Sequence, residues 1–178
     1  MPKLYREDEE PLDVSDIRKI LLSCNNRRLK TYLLVLASGG MGAIEGLAIR
    51  LRDIDFTVSP TKIHIRKEYS KTKTSRDVYI SDEATHYLRQ WINWKYDNEV
   101  RSRIKDDDDL VFTVYRTRTP SSLYVKILTE FEKLLSVVGL DERKDGKQRR
   151  RKITLHSFRR FVKTVISDQT NTDYSEWF

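Results

Sequence analysis

The sequence predicts an α+β fold, mainly α-helical with a small three-stranded antiparallel sheet. Apolar residues recur at helical spacing along most of the chain, three short segments between Asp53 and Ile80 switch to strict alternation, and a glycine-rich corner at Ser38-Gly39-Gly40 separates helices. With 178 residues and a hydrophobic fraction of 38%, the chain can bury one sizeable core and is expected to form one domain.

Taken in order, Met1 to Glu10 is charged and aperiodic, so it reads as a lead-in ahead of one domain over 11–178. Asp13 caps a first helix with Ile17, Ile20 and Leu21 on one stripe, ending near Asn25-Asn26. A second, Leu-rich helix covers Arg27 to Ala37, and helical spacing resumes from Ala43 to Leu51 through Ile44, Leu47 and Ala48. Ile54 and Phe56, then Ile63 and Ile65, then Val78 and Ile80 alternate with polar neighbours, which gives three strands with Glu68 to Ser75 joining the last two. His64 falls on the polar phase and is expected to be exposed. Ser81-Asp82-Glu83 opens a helix to about Tyr96, with Leu88, Trp91 and Ile92 inward and His86 outward. Leu110-Val111-Phe112 is a short buried segment, and Thr119-Pro120-Ser121-Ser122 starts a helix whose inner residues are Val125, Leu128, Phe131, Leu135 and Val138, up to Gly139.

Charge narrows the partners. Thirty-four Lys and Arg against 27 Asp and Glu leave a formal net charge of +7, which favours polyanions and puts nucleic acid first, beside the plainer reading of a basic soluble domain. One cysteine, Cys24, excludes an internal disulfide and metal-ligand spacing, so the chain is expected in a reducing compartment, cytoplasmic and nucleoid-associated. No apolar run reaches membrane-spanning length, and the polar start is neither a signal nor a transit peptide. Asp106 to Asp109 lacks the spaced ligands and turn glycine of a calcium loop, so a solvated turn is expected and no metal site. The basic loop of Lys144, Lys147, Arg149, Arg150, Arg151 and Lys152 would hold phosphate close to the segment that follows, or else be a solvated loop.

That segment, Ile153-Thr154-Leu155-His156-Ser157-Phe158-Arg159-Arg160-Phe161, carries the chemistry. On a helix His156 and Arg159 share a face. Thr154 would cap the helix, whose free N–H groups favour an anion beside His156. An imidazole and a fixed guanidinium aimed at one anion suit a phosphate; a surface His/Arg pair in a short two-residue pattern is the plainer alternative.

Four features in order resemble the catalytic domain of the tyrosine recombinases, the phage-type and archaeal-type integrase family of viruses and mobile elements. They are Ser38-Gly39-Gly40-Met41-Gly42-Ala43-Ile44-Glu45-Gly46-Leu47, the Asp53-Ile54-Asp55 strand, the hairpin Ser70-Lys71-Thr72-Lys73-Thr74-Ser75-Arg76, and His156-Ser157-Phe158-Arg159. The resemblance implies DNA integration and recombination by breaking and rejoining strands through a 3′-phosphotyrosyl intermediate, with duplex DNA of attachment-site type as partner, a homo-oligomer on that DNA, and no cofactor, metal or membrane.

Residue by residue, the resemblance implies that Lys71, or Lys73 if the loop slides by two, protonates the leaving 5′ oxygen, and that His156 and Arg159 hold the phosphate. Lys73, Arg76, Lys147, Arg149, Arg150 and Arg151 would contact DNA. The family's first arginine falls on Gly42, a departure, and Glu45, which braces that corner in the family, is then expected to lack its usual partner. Tyr174 lies upstream of where the family's nucleophile belongs, and Trp177-Phe178 stops in the middle of an amphipathic pattern. The expectation is therefore a truncated domain, inactive in cleavage, or a non-catalytic DNA-binding or assembly protein that reuses the fold. An RNA-binding domain is a third reading, without the aromatic platforms for single-strand stacking.

Overall fold

Helix α2 (Arg27–Gly39) runs through the middle of the fold, and Tyr32, Leu33, Val35 and Leu36 on it are wholly buried. The computed structural model of the chain describes residues 12–70, 72–97, 104–114, 119–143 and 151–169. Asn26 caps α2 by accepting from the Leu29 N–H at 3.1 Å, and Gly40 ends it in the left-handed region at φ 61°, which favours a residue without Cβ. Helix α1 (Val14–Ser23) starts at a reciprocal cap between Asp13 and Asp16 and buries Ile17 and Ile20. It stops short of Asn25-Asn26 because Asn26 already serves as the cap of α2.

Helix α3 (Ala43–Leu47) is shorter than its apolar spacing predicts. Past it the backbone pairs with the 107–111 segment instead: Val111 N–H donates to Ile49 at 2.9 Å and Leu51 N–H to Asp109 at 3.2 Å, and Arg50 bridges Leu110. Hydrogen bonds made outward leave none for a continued helix. The sheet follows as expected, with β1 (Ile54–Asp55), β2 (Thr61–Ile65) and β3 (Arg76–Ile80) antiparallel in that order. Ile63 faces Val78 and Ile65 faces Arg76 in register. Ile63, Ile65, Val78 and Ile80 are buried, and β3 packs against α2. His64 is exposed, as its phase predicts, and its Nδ1 lies 2.7 Å from Asp77 Oδ1 across the pair.

Helix α4 (Asp82–Lys95), capped by Ser81, buries Leu88, Trp91 and Ile92 and leaves His86 exposed. Its last residue, Lys95, is only 1% exposed. Lys95 Nζ donates to the Leu110 carbonyl at 2.5 Å and Trp91 Nε1 to that of Val111 at 2.8 Å, which pins the segment before Phe112. The acidic run is more than a solvated turn: Asp108 pairs with Arg52 at 2.5 Å, and buried Asp109 accepts from Tyr96 Oη at 2.7 Å. Among the described residues no group of His, Cys, Asp or Glu could hold a metal ion.

Helix α5 (Pro120–Val138) starts at a Thr119/Ser122 cap and ends at Gly139 with φ 70°. Its buried stripe is Leu123, Ile127, Phe131, Leu134, Leu135 and Val138, so Phe131, Leu135 and Val138 hold their predicted places and Leu128 is half-buried. Val125 is a correction, at 65% exposed: two residues from both Leu123 and Ile127, it stands roughly 200° around the helix from them. Helix α6 (Leu155–Gln169) buries Leu155, Phe158 and Val162, packs on α2, and sets Phe158 edge-on to Phe131 at 5.9 Å. Among the described residues no helix is long and apolar enough to cross a membrane.

Candidate functional site

The corner between α2 and α3 is held from within. Buried Tyr32 donates its hydroxyl to the Ala43 carbonyl at 2.8 Å, and Gly46 lets α3 approach α2 so closely that a Cβ there would meet Leu36 at 3.0 Å and Tyr32 at 3.1 Å. From this corner Glu45 points its carboxylate toward β3 and α6 and is only 7% exposed.

Four donors converge on it. Arg76 binds it as a fork, Nη1 to Oε1 at 3.0 Å and Nη2 to Oε2 at 2.8 Å. Arg159 Nη1 donates to Oε2 at 3.1 Å, and the Gly42 N–H to the same oxygen at 2.6 Å. Glu45, expected to lack its usual partner because residue 42 is glycine, has others: the start of β3 and the first turns of α6 both supply one. Burial would raise the Glu45 carboxyl, but the Arg76 hydrogen bonds, the Gly42 N–H and the charges of Arg76 and Arg159 outweigh it and hold the group below its ordinary value. Burial lowers the Arg159 guanidinium, Glu45 opposes that, and the charge of Arg76 adds to it.

Helix α6 presents the other residues through its own packing. Ser157 Oγ accepts from the Thr154 N–H at 3.0 Å, closing the helix start, while Leu155, Ser157 and Phe158 turn inward. His156 is thereby exposed and Arg159, one turn on, half-buried beside Glu45. Gly42 lies at the same place, since a Cβ on it would be 3.2 Å from Glu45 Oε2 and 3.6 Å from Arg159 Nη1. The structure thus brings Gly42, Glu45, Arg76 and Arg159 together, with His156 on the same face of α6 as Arg159.

Other candidates stand elsewhere or outside the described residues. Lys71, Lys147, Arg149 and Arg150 lie outside them, as do Tyr174 and Trp177. Lys73 is exposed on the hairpin with φ 56°, its N–H donating to Ser70 at 3.2 Å. Arg151 is engaged by acids, its Nε 3.5 Å from Glu132 and its Nη1 3.9 Å from Asp141. Sequence reasoning missed two structural supports: Arg66, which joins Asp53 at 3.3 Å and the Ala48 carbonyl at 2.7 Å close to Glu45, and buried Lys95, which holds the 110–111 carbonyls. A basic residue ending a strand and a lysine closing an otherwise apolar helix face were the available signals.

Residues 10–173 match the model of the phage integrase family. The chain belongs to that family. This phage integrase domain is 29% identical over 116 residues to tyrosine recombinase XerA of Saccharolobus solfataricus, covering 65% of this chain and 37% of that protein. It is 23% identical over 103 residues to transposase A from transposon Tn554 of Staphylococcus aureus, covering 55% and 28% respectively. Its fold resembles the crystal structure of XerA recombinase with a TM-score of 0.67 at 18% identity, over 93% of this chain and 54% of that one. It also resembles XerH site-specific recombinase bound to difH substrate in a pre-cleavage complex, with a TM-score of 0.64 at 18% identity, over 93% of this chain and 45% of that one. The domain therefore has the tyrosine recombinase catalytic fold, and it spans about a third of the length of the curated relatives it matches.

Proposed function

We propose that this chain is the DNA-holding part of a site-specific recombinase, whose corner of Glu45, Arg76, Arg159 and His156 takes a backbone phosphate of duplex DNA. The observation that carries this is the convergence of two guanidiniums on one buried carboxylate beside an exposed histidine. Two permanent cations against one anion leave the corner positive, and a phosphate diester is the ligand that a planar, multiply donating guanidinium fits. The net charge of +7 adds long-range attraction.

In the reaction the family performs, a tyrosine oxygen bonds to phosphorus while the bond to the 5′ oxygen breaks, and that oxygen leaves with a proton. Arg159 would stabilise the charge that grows on the nonbridging oxygens, and His156 would hydrogen-bond the phosphate and assist proton transfer at the attacking group. Lys71 or Lys73 would supply the proton to the leaving oxygen. Gly42 offers no side chain to that charge. A missing preorganised donor costs about 3 kcal/mol, or ~10²-fold in rate, so strand cleavage by this chain is proposed to be slow or absent. Gly42 also favours a second reading, a DNA-binding or assembly protein of the same fold that does not cleave.

A fluorescently labelled mixed-sequence duplex tests the proposal. Binding should weaken steeply from low to physiological salt, and Arg159→Gln should weaken it further at every salt concentration. A duplex that does not bind, or binds parent and Arg159→Gln alike, would remove the phosphate site. A cleavage assay on attachment-site DNA bears on the second reading, since covalent adduct formation, however slow, would exclude a protein that does not cleave. Homo-oligomerisation on DNA, proposed from the same family resemblance, is read from the stoichiometry of the bound complex.

A further inference from the structure

We infer that Arg76 is a second phosphate-gripping cation of this site, binding the same phosphate group as Arg159 and supplying the positive charge that Gly42 does not. The inference rests on the proposed phosphate site and goes beyond it by having Arg76 touch the same phosphate as Arg159, rather than only brace Glu45, and so stand in for the charge that residue 42 lacks. Arg76 stands at the first position of β3, opposite Ile65 in register, which aims it along the sheet edge at α3. Its Nη2 and the Nη1 of Arg159 meet on one oxygen, Glu45 Oε2, so the two guanidiniums are neighbours across a single atom.

A guanidinium has five N–H donors. Glu45 takes one from each Arg76 Nη atom, which leaves a second N–H on each without an acceptor among the described residues, while Arg76 Nε is buried out of a ligand's reach. Arg76 therefore has donor capacity left after bracing Glu45. Its side chain is 19% exposed against 24% for Arg159, so both keep some accessible surface. Residue 42 borders the fork, since a Cβ on it would start 3.2 Å from Glu45 Oε2 and 3.6 Å from Arg159 Nη1. As glycine, residue 42 places no side chain of its own against that carboxylate and those guanidiniums. If Arg76 served only to brace Glu45, it would hold the corner together but touch no phosphate.

The test uses the whole chain, a mixed-sequence duplex and inorganic phosphate. In the unaltered protein, phosphate titrated into ¹⁵N-labelled sample should shift the Nε–H signals of Arg76 and Arg159 with one common midpoint. Arg76→Gln should weaken duplex binding roughly 10-fold and lower the salt slope by about 1, Arg76→Lys should keep the slope but lose affinity, and Gly42→Arg added to Arg76→Gln should recover the slope. If Arg159→Gln weakens binding while Arg76→Gln keeps the parent slope and the Arg76 signal stays still, Arg76 is a brace and the inference is overturned with the site intact. If neither variant changes binding, the phosphate site itself falls. Should Arg76→Gln fail to fold, the signals of the unaltered protein and Arg76→Lys decide the matter.

Discussion

Glu45 and Arg76, 31 residues apart in sequence, meet as a two-bond fork at 3.0 and 2.8 Å that joins α3 to the first residue of β3. Arg159 completes the junction from α6 at 3.1 Å. Three elements that share no local sequence are thus tied at one carboxylate, and the exposed His156 is carried beside it.

Removing that carboxylate leaves two largely buried guanidiniums without their counter-charge. Glu45→Ala is expected to lower stability by about 3 kcal/mol, read as a lower urea midpoint with an unchanged slope. Glu45→Gln, which keeps the shape and one acceptor, should lose less. A Glu45→Ala protein as stable as its parent would show that the three elements do not depend on the junction.

Acid should undo the same junction. The Glu45 carboxyl sits below its ordinary value in the folded chain, so the unfolded chain binds its proton more readily. Its contribution to stability is fully present above the unfolded pKa of about 4.3 and is lost as pH falls through the lower folded value. The stability difference between parent and Glu45→Gln should be constant above about pH 5.5 and shrink below about pH 4.5. A difference that is flat across this range contradicts the lowered carboxyl.

Gly42 has φ −70° and ψ 154°, a conformation open to any residue. Gly42→Arg should therefore fold, with Glu45 yielding a few tenths of an ångström to the new Cβ at 3.2 Å. Duplex binding should tighten roughly 10-fold at low salt and the salt slope rise by about 1, measured by fluorescence anisotropy. An unchanged slope would mean that the added guanidinium does not meet phosphate.

Lys95 holds the 110–111 carbonyls from inside the core. Lys95→Ala should cost about 3 kcal/mol by leaving a void and unpaired acceptors. Amide exchange in residues 110–112 should accelerate, as should exchange at Leu51, whose N–H pairs with Asp109. Loss of stability without faster exchange there would assign Lys95 a packing role alone.

Most element starts were legible because they are local. Asp13, Asn26, Ser81 and Thr119 each cap a helix with their own side chain, and Gly40 and Gly139 end helices in the left-handed region. Strands β2 and β3 were legible from alternation, since Ile63, Ile65, Val78 and Ile80 share one buried face, whereas β1 is only Ile54–Asp55 and leaves Phe56 outside. What failed was set by distant partners. The end of α3 depends on the 107–111 backbone, and the inner face of α5 was misjudged at Val125 because one apolar residue does not reveal which stripe the core selects.

The candidate site divides in the same way. The sequence by itself determined that His156 and Arg159 share a helix face, that residue 42 has no side chain, and that Glu45 opens a helix, because these follow from spacing of a few residues. Only the tertiary structure decided that Arg76 and Arg159 close on Glu45 and that Arg151 is held by Glu132 and Asp141. Charge pairing acts over ångströms in space whatever the separation in sequence, so packing of α3, β3 and α6 around α2 had to be in place before any arginine had a partner.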